Sequence, residues 1–382
     1  MKVHIHEQEI FKNLNPVEIA SYLRSTGWHD MASKPNHSST WRKTINSESL
    51  ELLLPLNRAI GDFASRMADV VSDLAAVEQR SQLEILTDLQ TAGADVMRVR
   101  LRNPESANGT LPIEQGVPLV DNTRELLLAG ACAAVQPRPY FATRKPDQAN
   151  QFLSNLRLGQ SERGSYVLTI LSPVPPHLAP ANGVLFEIEE PFARRAVLTL
   201  SRALQALREA ADLALSSGHF DPFSEAVSAG VSSNLCSALA RMAHGVPAAC
   251  ELVLSWTWAR SRPVDGDAIR DVVFPGDRLP VIDEAARLLK ATAPREQVEI
   301  RGCVVKLQKE GEQGPPAGPV TIRAILDGTL RRVTVPLEMA DHLRAIQAYE
   351  RVATVACTGD LIKSGQQYTL QNPRGFAIVS EE

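Results

Sequence analysis

The fold of this chain is decided by its C-terminal quarter, which begins with residues 298–307, VEIRGCVVKL. Apolar residues alternate along this stretch, as they do on one face of a β-strand. The alternation changes phase at the adjacent Val304 and Val305, just after Gly302. Such a change beside a glycine predicts a bulge or a sharp bend. A bend of this kind lets one strand serve both halves of a small closed sheet.

The rest of this quarter completes a barrel pattern. A second strand is predicted at 320–326, a turn at Asp327-Gly328 and a third strand through Val333, Val335 and Leu337. Helical spacing follows over 339–351, in which Met339, Leu343, Ile346 and Ala348 are apolar. The last strands are predicted at 352–362 and 368–379, separated by Ser364-Gly365. Three strands, a helix and two strands is the order of an OB-type barrel, which often binds single-stranded nucleic acid.

A binding groove is predicted on this barrel, flanked by the polar loop 309–319. Its predicted nucleic-acid-binding residues are basic or aromatic: Arg301, Lys306, Arg323, Arg332, Lys363, Arg374 and Tyr368, with Phe376 as a second stacking platform. The alternative is a structural barrel with ordinary solvated charges, because acidic residues are about as frequent here. Phe376 also alternates with Ile378, which is typical of a core position.

A second candidate for nucleic-acid binding lies in residues 136–151. This proline-rich stretch interleaves charged and aromatic residues, and Arg138, Tyr140 and Arg144 are its predicted contacts. The alternative is a linker whose aromatic residues pack back on the core. The stretch also predicts the first domain boundary. We therefore predict an α+β protein with an N-terminal α/β domain at 1–150, a mixed α+β domain at 151–293 and the OB-like barrel at 294–382.

Capping signals predict the main helices. Asn15-Pro16 predicts one helix start, and Ser81 with Glu84 predicts a capping box. Residues 189–191, Glu-Glu-Pro, predict the start of a long helix with acidic residues at its positive end. The alternative is a metal site formed by these carboxylates with Glu187, which we disfavour because no lysine follows at suitable spacing.

Composition limits the possible classes of protein. The chain has 382 residues, a net charge of −4 and 22% charged residues, which is ordinary for a soluble globular protein. This charge disfavours a nonspecific basic coat but allows a local basic groove. The five cysteines form no CxxC pair, which fits reduced thiols in a cytoplasm and disfavours zinc ribbons. No segment is typical of a signal peptide or a bilayer span. We predict a cytoplasmic location, with no metal, cofactor or membrane partner.

Three functions remain open from the sequence. The leading hypothesis is a non-enzymatic, nucleic-acid-binding sensor or adaptor subunit of a larger bacterial assembly, in DNA maintenance or phage defence. The second is a protein–protein scaffold or homo-oligomer that uses the barrel and the Trp256/Trp258 face of a strand at 251–260. The third is a hydrolase with carboxylates gathered from distant segments. The sequence has no P-loop, no GxGxxG after a strand and no HExxH motif.

Overall fold

A computed structural model describes residues 5, 9–45, 47–102, 110–142, 144–159, 166–175, 190–243, 250–264, 268–308, 318–364 and 367–379. The chain divides into two compact units. Unit 1 comprises Met1–Pro137 and Thr143–Asp283, and unit 2 comprises Arg138–Ala142 and Glu284–Glu382. Most of the loop 309–319 lies outside the described residues, as do Gly365, Glu187 and Glu189.

The first part of unit 1 packs helices on a small sheet. Strands β1, β2 and β3 form an antiparallel sheet in that order. Trp28, Trp41 and Phe63 are buried in the shared core. The predicted caps are confirmed, because Asn15 accepts the Val17 N–H at 3.1 Å and Ser81 forms a capping box. The elements are α1 (Glu9–Lys12), α2 (Pro16–Ser25), β1 (His29–Lys34), β2 (Ser38–Ile45), β3 (Glu48–Pro55), α3 (Phe63–Glu78) and α4 (Gln82–Thr91).

The second part of unit 1 is an antiparallel five-stranded sheet with the order β5-β6-β4-β7-β8. The predicted boundary near residue 150 lies between β4 and β6, which pair with each other. Helix α7 packs against α5, β6 and β8. The elements are β4 (Ala94–Arg102), α5 (Ile113–Val135), α6 (Asp147–Asn155), β5 (Arg157–Leu158), β6 (Val167–Pro173), α7 (Phe192–Ser217), α8 (Asp221–Glu225), α9 (Ser233–Met242), β7 (Glu251–Thr257) and β8 (Asp271–Pro275).

A buried ion pair joins α7 to the centre of this sheet. Arg194 Nε donates to Asp95 Oδ2 at 2.8 Å, and both side chains are almost fully buried. The second carboxylate oxygen of Asp95 accepts the Ala259 N–H at 2.9 Å, and Arg194 also donates to the Arg262 carbonyl. Burial raises the pKa of Asp95, and the Arg194 guanidinium opposes that rise. This junction therefore depends on a matched pair of charges.

Unit 2 is the predicted barrel. Its strands close in the order β10-β11-β13-β12-β9, with β11 and β13 parallel. This order, with a helix between the third and fourth strands, is that of an OB-type barrel, so the predicted fold class is confirmed. The elements are α10 (Leu279–Thr292, which begins in unit 1), β9 (Arg295–Leu307), β10 (Gly318–Leu326), β11 (Thr329–Leu337), α11 (Met339–Glu350), β12 (Thr354–Ser364) and β13 (Gln367–Ile378).

The predicted bulge in the first barrel strand is confirmed. Thr321 of β10 pairs with Lys306, but the next residue, Ile322, pairs with Val304, so Val305 is the extra residue. Gly302 allows a close approach of β9 to β10, because an added Cβ would lie 2.1 Å from the Arg323 carbonyl oxygen. The predicted hairpin turn is also confirmed, since Asp327 and Gly328 both have positive φ.

The predicted helix is present as α11, but its apolar residues do not all face the barrel. The helix buries His342, Ala345 and Ala348 against the barrel, whereas Met339 and Leu343 are exposed. Small side chains let the helix approach the barrel closely, and the His342 ring is hydrogen-bonded to the Gly318 carbonyl through Nδ1 at 3.2 Å. Of the four apolar residues in this helix, Met339 and Leu343 therefore face solvent within unit 2, whereas Ala348 belongs to the core.

Candidate nucleic-acid interface

On the outer face of the β10–β11 hairpin, side chains from the two strands form two parallel rows, and each residue has a partner directly opposite. Val320, Ile322 and Ala324 point into the barrel core, so the residues between them face outward. The register places each outward residue of β10 directly opposite one of β11. These opposed pairs are Thr321 with Thr334, Arg323 with Arg332, and Ile325 with Leu330.

The central pair of this surface brings two positive charges together. Arg323 and Arg332 are exposed and directly opposite, an arrangement that places Cβ atoms about 5 Å apart and is unfavourable for like charges. Among the residues that the structure describes, neither arginine has a hydrogen-bond or ion-pair partner. An anion bound between them would remove the repulsion, and two neighbouring guanidinium groups suit the oxygens of a phosphate.

Three other arginines of the barrel differ, because they have carboxylate partners. Arg295 lies 2.8 Å from an oxygen of Asp327, and Arg344 lies 3.2 Å from one of Asp341. Arg301, which we predicted as a contact, lies 2.9 Å from Glu299. Arg301 also pairs across to Ala356 of β12 and not to the hairpin. Arg351 and Arg374 also have no described ion pair, so what distinguishes Arg323 and Arg332 is that they lie directly opposite each other.

The bulge at Val305 extends this surface onto β9. Lys306 is opposite Thr321 and Cys303 is opposite Arg323, so both side chains face the same way as the hairpin pairs. Without the extra residue, positions 303 and 306 would point to opposite faces of the strand. The structure therefore brings together three of the predicted contacts, Lys306, Arg323 and Arg332, on one continuous outer surface.

Three other predicted contacts lie on β12 and β13. Lys363 is opposite Tyr368, and its Nζ lies 5.9 Å from the centre of the tyrosine ring. Tyr368 is half-buried and packs against the barrel core, while Arg374 is exposed opposite Thr358. The prediction of Phe376 as a stacking platform was wrong, because its side chain is 2% exposed and belongs to the core.

Of the predicted contacts in residues 136–151, Arg138 and Tyr140 belong to unit 2 and Arg144 belongs to unit 1. Arg138 forms an ion pair with Glu296, and Lys290 Nζ lies 5.3 Å from the Tyr140 ring, so both predicted contacts already have partners. Phe141 is buried, as the linker alternative expected, whereas Arg144 is exposed. A binding role for Arg138, Tyr140 and Arg144 stays a prediction.

Two features of the hairpin surface were missed in the sequence. Ile325 and Leu330 form an exposed apolar pair beside the arginines, with 70% and 58% of their surfaces accessible. Cys303 is partly exposed, whereas the other four cysteines are buried. The signal for Ile325 was present, because it follows Arg323 by two residues and therefore shares its face.

The alternative sites have less support from the geometry. The strand β7 ends at Thr257, and Trp256 is only 4% exposed, so Trp256 offers no open platform. Glu190 lies 3.4 Å from Arg262, which leaves it paired. Within the described part of the chain, no group of three or more His, Cys, Asp or Glu side chains is arranged to hold a metal ion.

The fold and the hairpin surface define the class: an α+β protein with a C-terminal OB-type barrel. Comparisons of this chain with protein-family models, with curated proteins and with solved structures give no match. Among the described helices, none combines the length and the apolar character needed to cross a bilayer. The assignment of a function therefore depends on the geometry of the site.

Proposed function

We propose that the protein binds single-stranded nucleic acid through the outer surface of the β10–β11 hairpin. The observation that carries this proposal is the pair Arg323 and Arg332, two exposed arginines held directly opposite each other without a described partner. Water screens this repulsion in the free protein, and phosphate oxygens bound between the two guanidinium groups would relieve what remains of it. In OB-type barrels the second and third strands form the surface that binds oligonucleotides.

The preference for a single strand follows from what lies beside the arginines. Ile325 and Leu330 offer an apolar surface next to the positive charges, and Lys306 and Cys303 border it on β9. Bases of a single strand expose their apolar faces, whereas those of a duplex are stacked and covered. A ligand with phosphates and accessible bases therefore complements the whole surface. The predicted roles in DNA maintenance or phage defence stay predictions.

The test is the fluorescence anisotropy of labelled single-stranded DNA, single-stranded RNA and duplex DNA with the full chain, at several salt concentrations. We expect single-strand binding that weakens with salt. For Arg323→Gln with Arg332→Gln, we expect at least tenfold weaker binding and a salt slope smaller by about 1.4, which is two phosphate contacts at about 0.7 each. Unchanged affinity and slope would exclude this surface.

A matched control distinguishes the loss of this binding site from a general loss of positive charge. Arg202 and Arg241 are exposed arginines on α7 and α9, with no ion pair among the described residues. Arg202→Gln with Arg241→Gln removes the same charge, and we expect it to leave the affinity within about twofold. If both double variants weaken binding equally, the interaction is a general charge effect and the hairpin proposal fails.

A protein-binding role is the second candidate, because α11 exposes an apolar stripe. Met339 and Leu343 are four residues apart, so they lie on one side of this helix, and both are exposed. Exposed apolar surface of this kind is typical of an interface with another protein. Association through this stripe would persist at high salt and would be lost in Leu343→Asp, whereas nucleic-acid binding through Arg323 and Arg332 would not depend on Leu343.

A further inference from the structure

Unit 1 contains a cavity of about 470 Å³ at the start of α7. Its wall includes the carboxamides of Gln148, Gln151 and Asn155 and the rings of Phe152 and Phe192. These two rings meet edge to face, with centroids 6.3 Å apart. The remaining lining residues are Leu156, Arg157, Ser172, Pro173 and Ala193. The wall thus includes a cation and several hydrogen-bonding groups, and none of the lining residues that the structure describes is acidic.

The first turn of α7 forms part of the wall of this cavity. The helix has 26 residues, and its N-terminal flanking residue, Pro191, makes no side-chain capping bond. Glu190, which we predicted to favour this helix end, pairs instead with Arg262. Phe192 and Ala193, the first two residues of the helix, both line the cavity. The N-terminus of a long helix without a cap attracts anions through its N–H groups and its dipole.

A second observation, independent of the helix, is the buried hydroxyl of Ser172. Ser172 pairs with Asp95 across β6 and β4, so both side chains lie on the same face of the sheet. Asp95 binds Arg194 in the first turn of α7, which shows that this face points toward the start of the helix. Ser172 is 3% exposed, lines the cavity and has an Oγ without a hydrogen-bond partner. Buried hydroxyls normally have a partner, so this group indicates a missing one.

Arg157 adds positive charge to the wall of the cavity. Its Nη1 donates to the carbonyls of Ser154 at 3.0 Å and Leu156 at 2.9 Å, at the C-terminal end of α6. These bonds counter the negative end of that helix. The electrostatic environment of the cavity therefore comes from the positive end of α7 and from a cation.

We propose that this cavity binds a small ligand that has an oxyanion group and a flat, polar body, as a mononucleotide has. The oxyanion, a phosphate or a carboxylate, accepts hydrogen bonds from the first N–H groups of α7 and from Ser172. The body lies against Phe152 and Phe192 and exchanges hydrogen bonds with Gln148, Gln151 and Asn155. This site is separate from the barrel surface and does not depend on the proposed function of that surface.

The test uses a pair of variants at Ala193, the second residue of α7, which is half-buried at the cavity wall. Ala193→Glu adds a negative charge where the ligand oxyanion would bind, and the helix dipole favours that charge, so the fold is retained. Ala193→Gln adds nearly the same volume without the charge. Calorimetric titration of the full chain with adenosine monophosphate, inorganic phosphate, benzoate and adenosine measures the affinities.

We expect the natural chain to bind adenosine monophosphate more tightly than adenosine, and Ala193→Glu to bind it at least tenfold more weakly than Ala193→Gln. Binding of phosphate without benzoate identifies a phosphate site, and the reverse identifies a carboxylate site. Absence of binding for all the anions at 10 mM, or equal affinities in the two variants, would overturn the proposal. Arg323→Gln with Arg332→Gln should leave these affinities unchanged, so the result is distinguishable from failure of the barrel proposal.

Discussion

Arginine is used in opposite ways at the junction of α7 with β4 and on the outer face of the β10–β11 hairpin. At the junction, Arg194 is buried and bonded to Asp95 at 2.8 Å. On the hairpin, Arg323 and Arg332 are exposed, opposite each other and without a described partner. A buried charge is tolerated only with its counter-charge, whereas an exposed pair of like charges is tolerated because water screens it.

This difference indicates what each region is for. The matched charges at the junction fix α7 on the sheet, so their loss should appear as a loss of stability. The unmatched charges on the hairpin contribute nothing favourable to the fold, so their loss should appear as a loss of binding. The following variants test that division, beginning with the largest expected effect.

Removal of the carboxylate at the junction should have the largest effect. Asp95→Ala leaves the Arg194 guanidinium buried without a counter-charge and removes the acceptor of the Ala259 N–H. We expect the free energy of unfolding to fall by about 3–5 kcal/mol. Denaturant unfolding followed by circular dichroism measures this change. Asp95→Ala with Arg194→Met removes both charges and should recover part of the loss; an equal or larger loss in the double variant would contradict the ion-pair explanation.

A substitution that disturbs the closure of the barrel should have the next largest effect on the free energy of unfolding. Gly302→Ala places a Cβ 2.1 Å from the Arg323 carbonyl oxygen, so the β9 and β10 backbones must move apart. We expect a loss of about 1–3 kcal/mol in the free energy of unfolding, the range for overpacked positions. Gly61→Ala is the matched control, because its Cβ would meet nothing within 4 Å. Similar stability of the two variants would show that β9 is not constrained at this position.

A single charge reversal on the hairpin should separate stability from binding. Arg332→Glu places a carboxylate opposite Arg323, so repulsion becomes attraction. We expect the free energy of unfolding to rise by about 0.2–1 kcal/mol while the affinity for single-stranded DNA falls. Thermal unfolding and anisotropy on the same preparation measure both quantities. A fall in stability together with unchanged affinity would reverse the roles that we assign to this pair.

Thiol labelling should report on the hairpin without altering stability. Burial raises the pKa of Cys132 and that of Cys357 to about 11, and it also raises the pKa of Cys236. These thiols therefore stay protonated and unreactive at neutral pH, and Cys250 is 3% exposed. We expect one equivalent of maleimide to react with the native chain, at Cys303.

The control for that labelling is Cys303→Ser, which should reduce it to near zero. Single-stranded DNA should slow the labelling of the natural chain, because Cys303 is opposite Arg323 on the proposed surface. Rapid modification of several cysteines in the native protein would contradict the burial described above. Labelling that is indifferent to a bound strand would place that strand elsewhere.

The barrel was predictable because strand alternation is a local property. The inward positions Ile322, Val333 and Val335 could be recognised from their spacing alone, and the phase change beside Gly302 indicated the bulge. The inner face of α11 could not be identified from apolar character alone, because Met339 and Leu343 are exposed while His342 is buried. At the barrel, small side chains and the bonded His342 allow closer packing than Met339 and Leu343 would.

The sequence by itself determined the order of strands and helices in the barrel, the hairpin turn and the helix caps, because each depends on residues close together in the chain. Only the tertiary structure decided which charges are matched. Asp95 and Arg194 are 99 positions apart in the chain, and Arg323 faces Arg332 only through the register of a hairpin. The opposition of Ser172 and Asp95, which directs a free hydroxyl toward the start of α7, likewise depends on strand pairing between distant segments. Charge partners and cavities depend on which distant segments meet, and local patterns of hydrophobicity do not specify that.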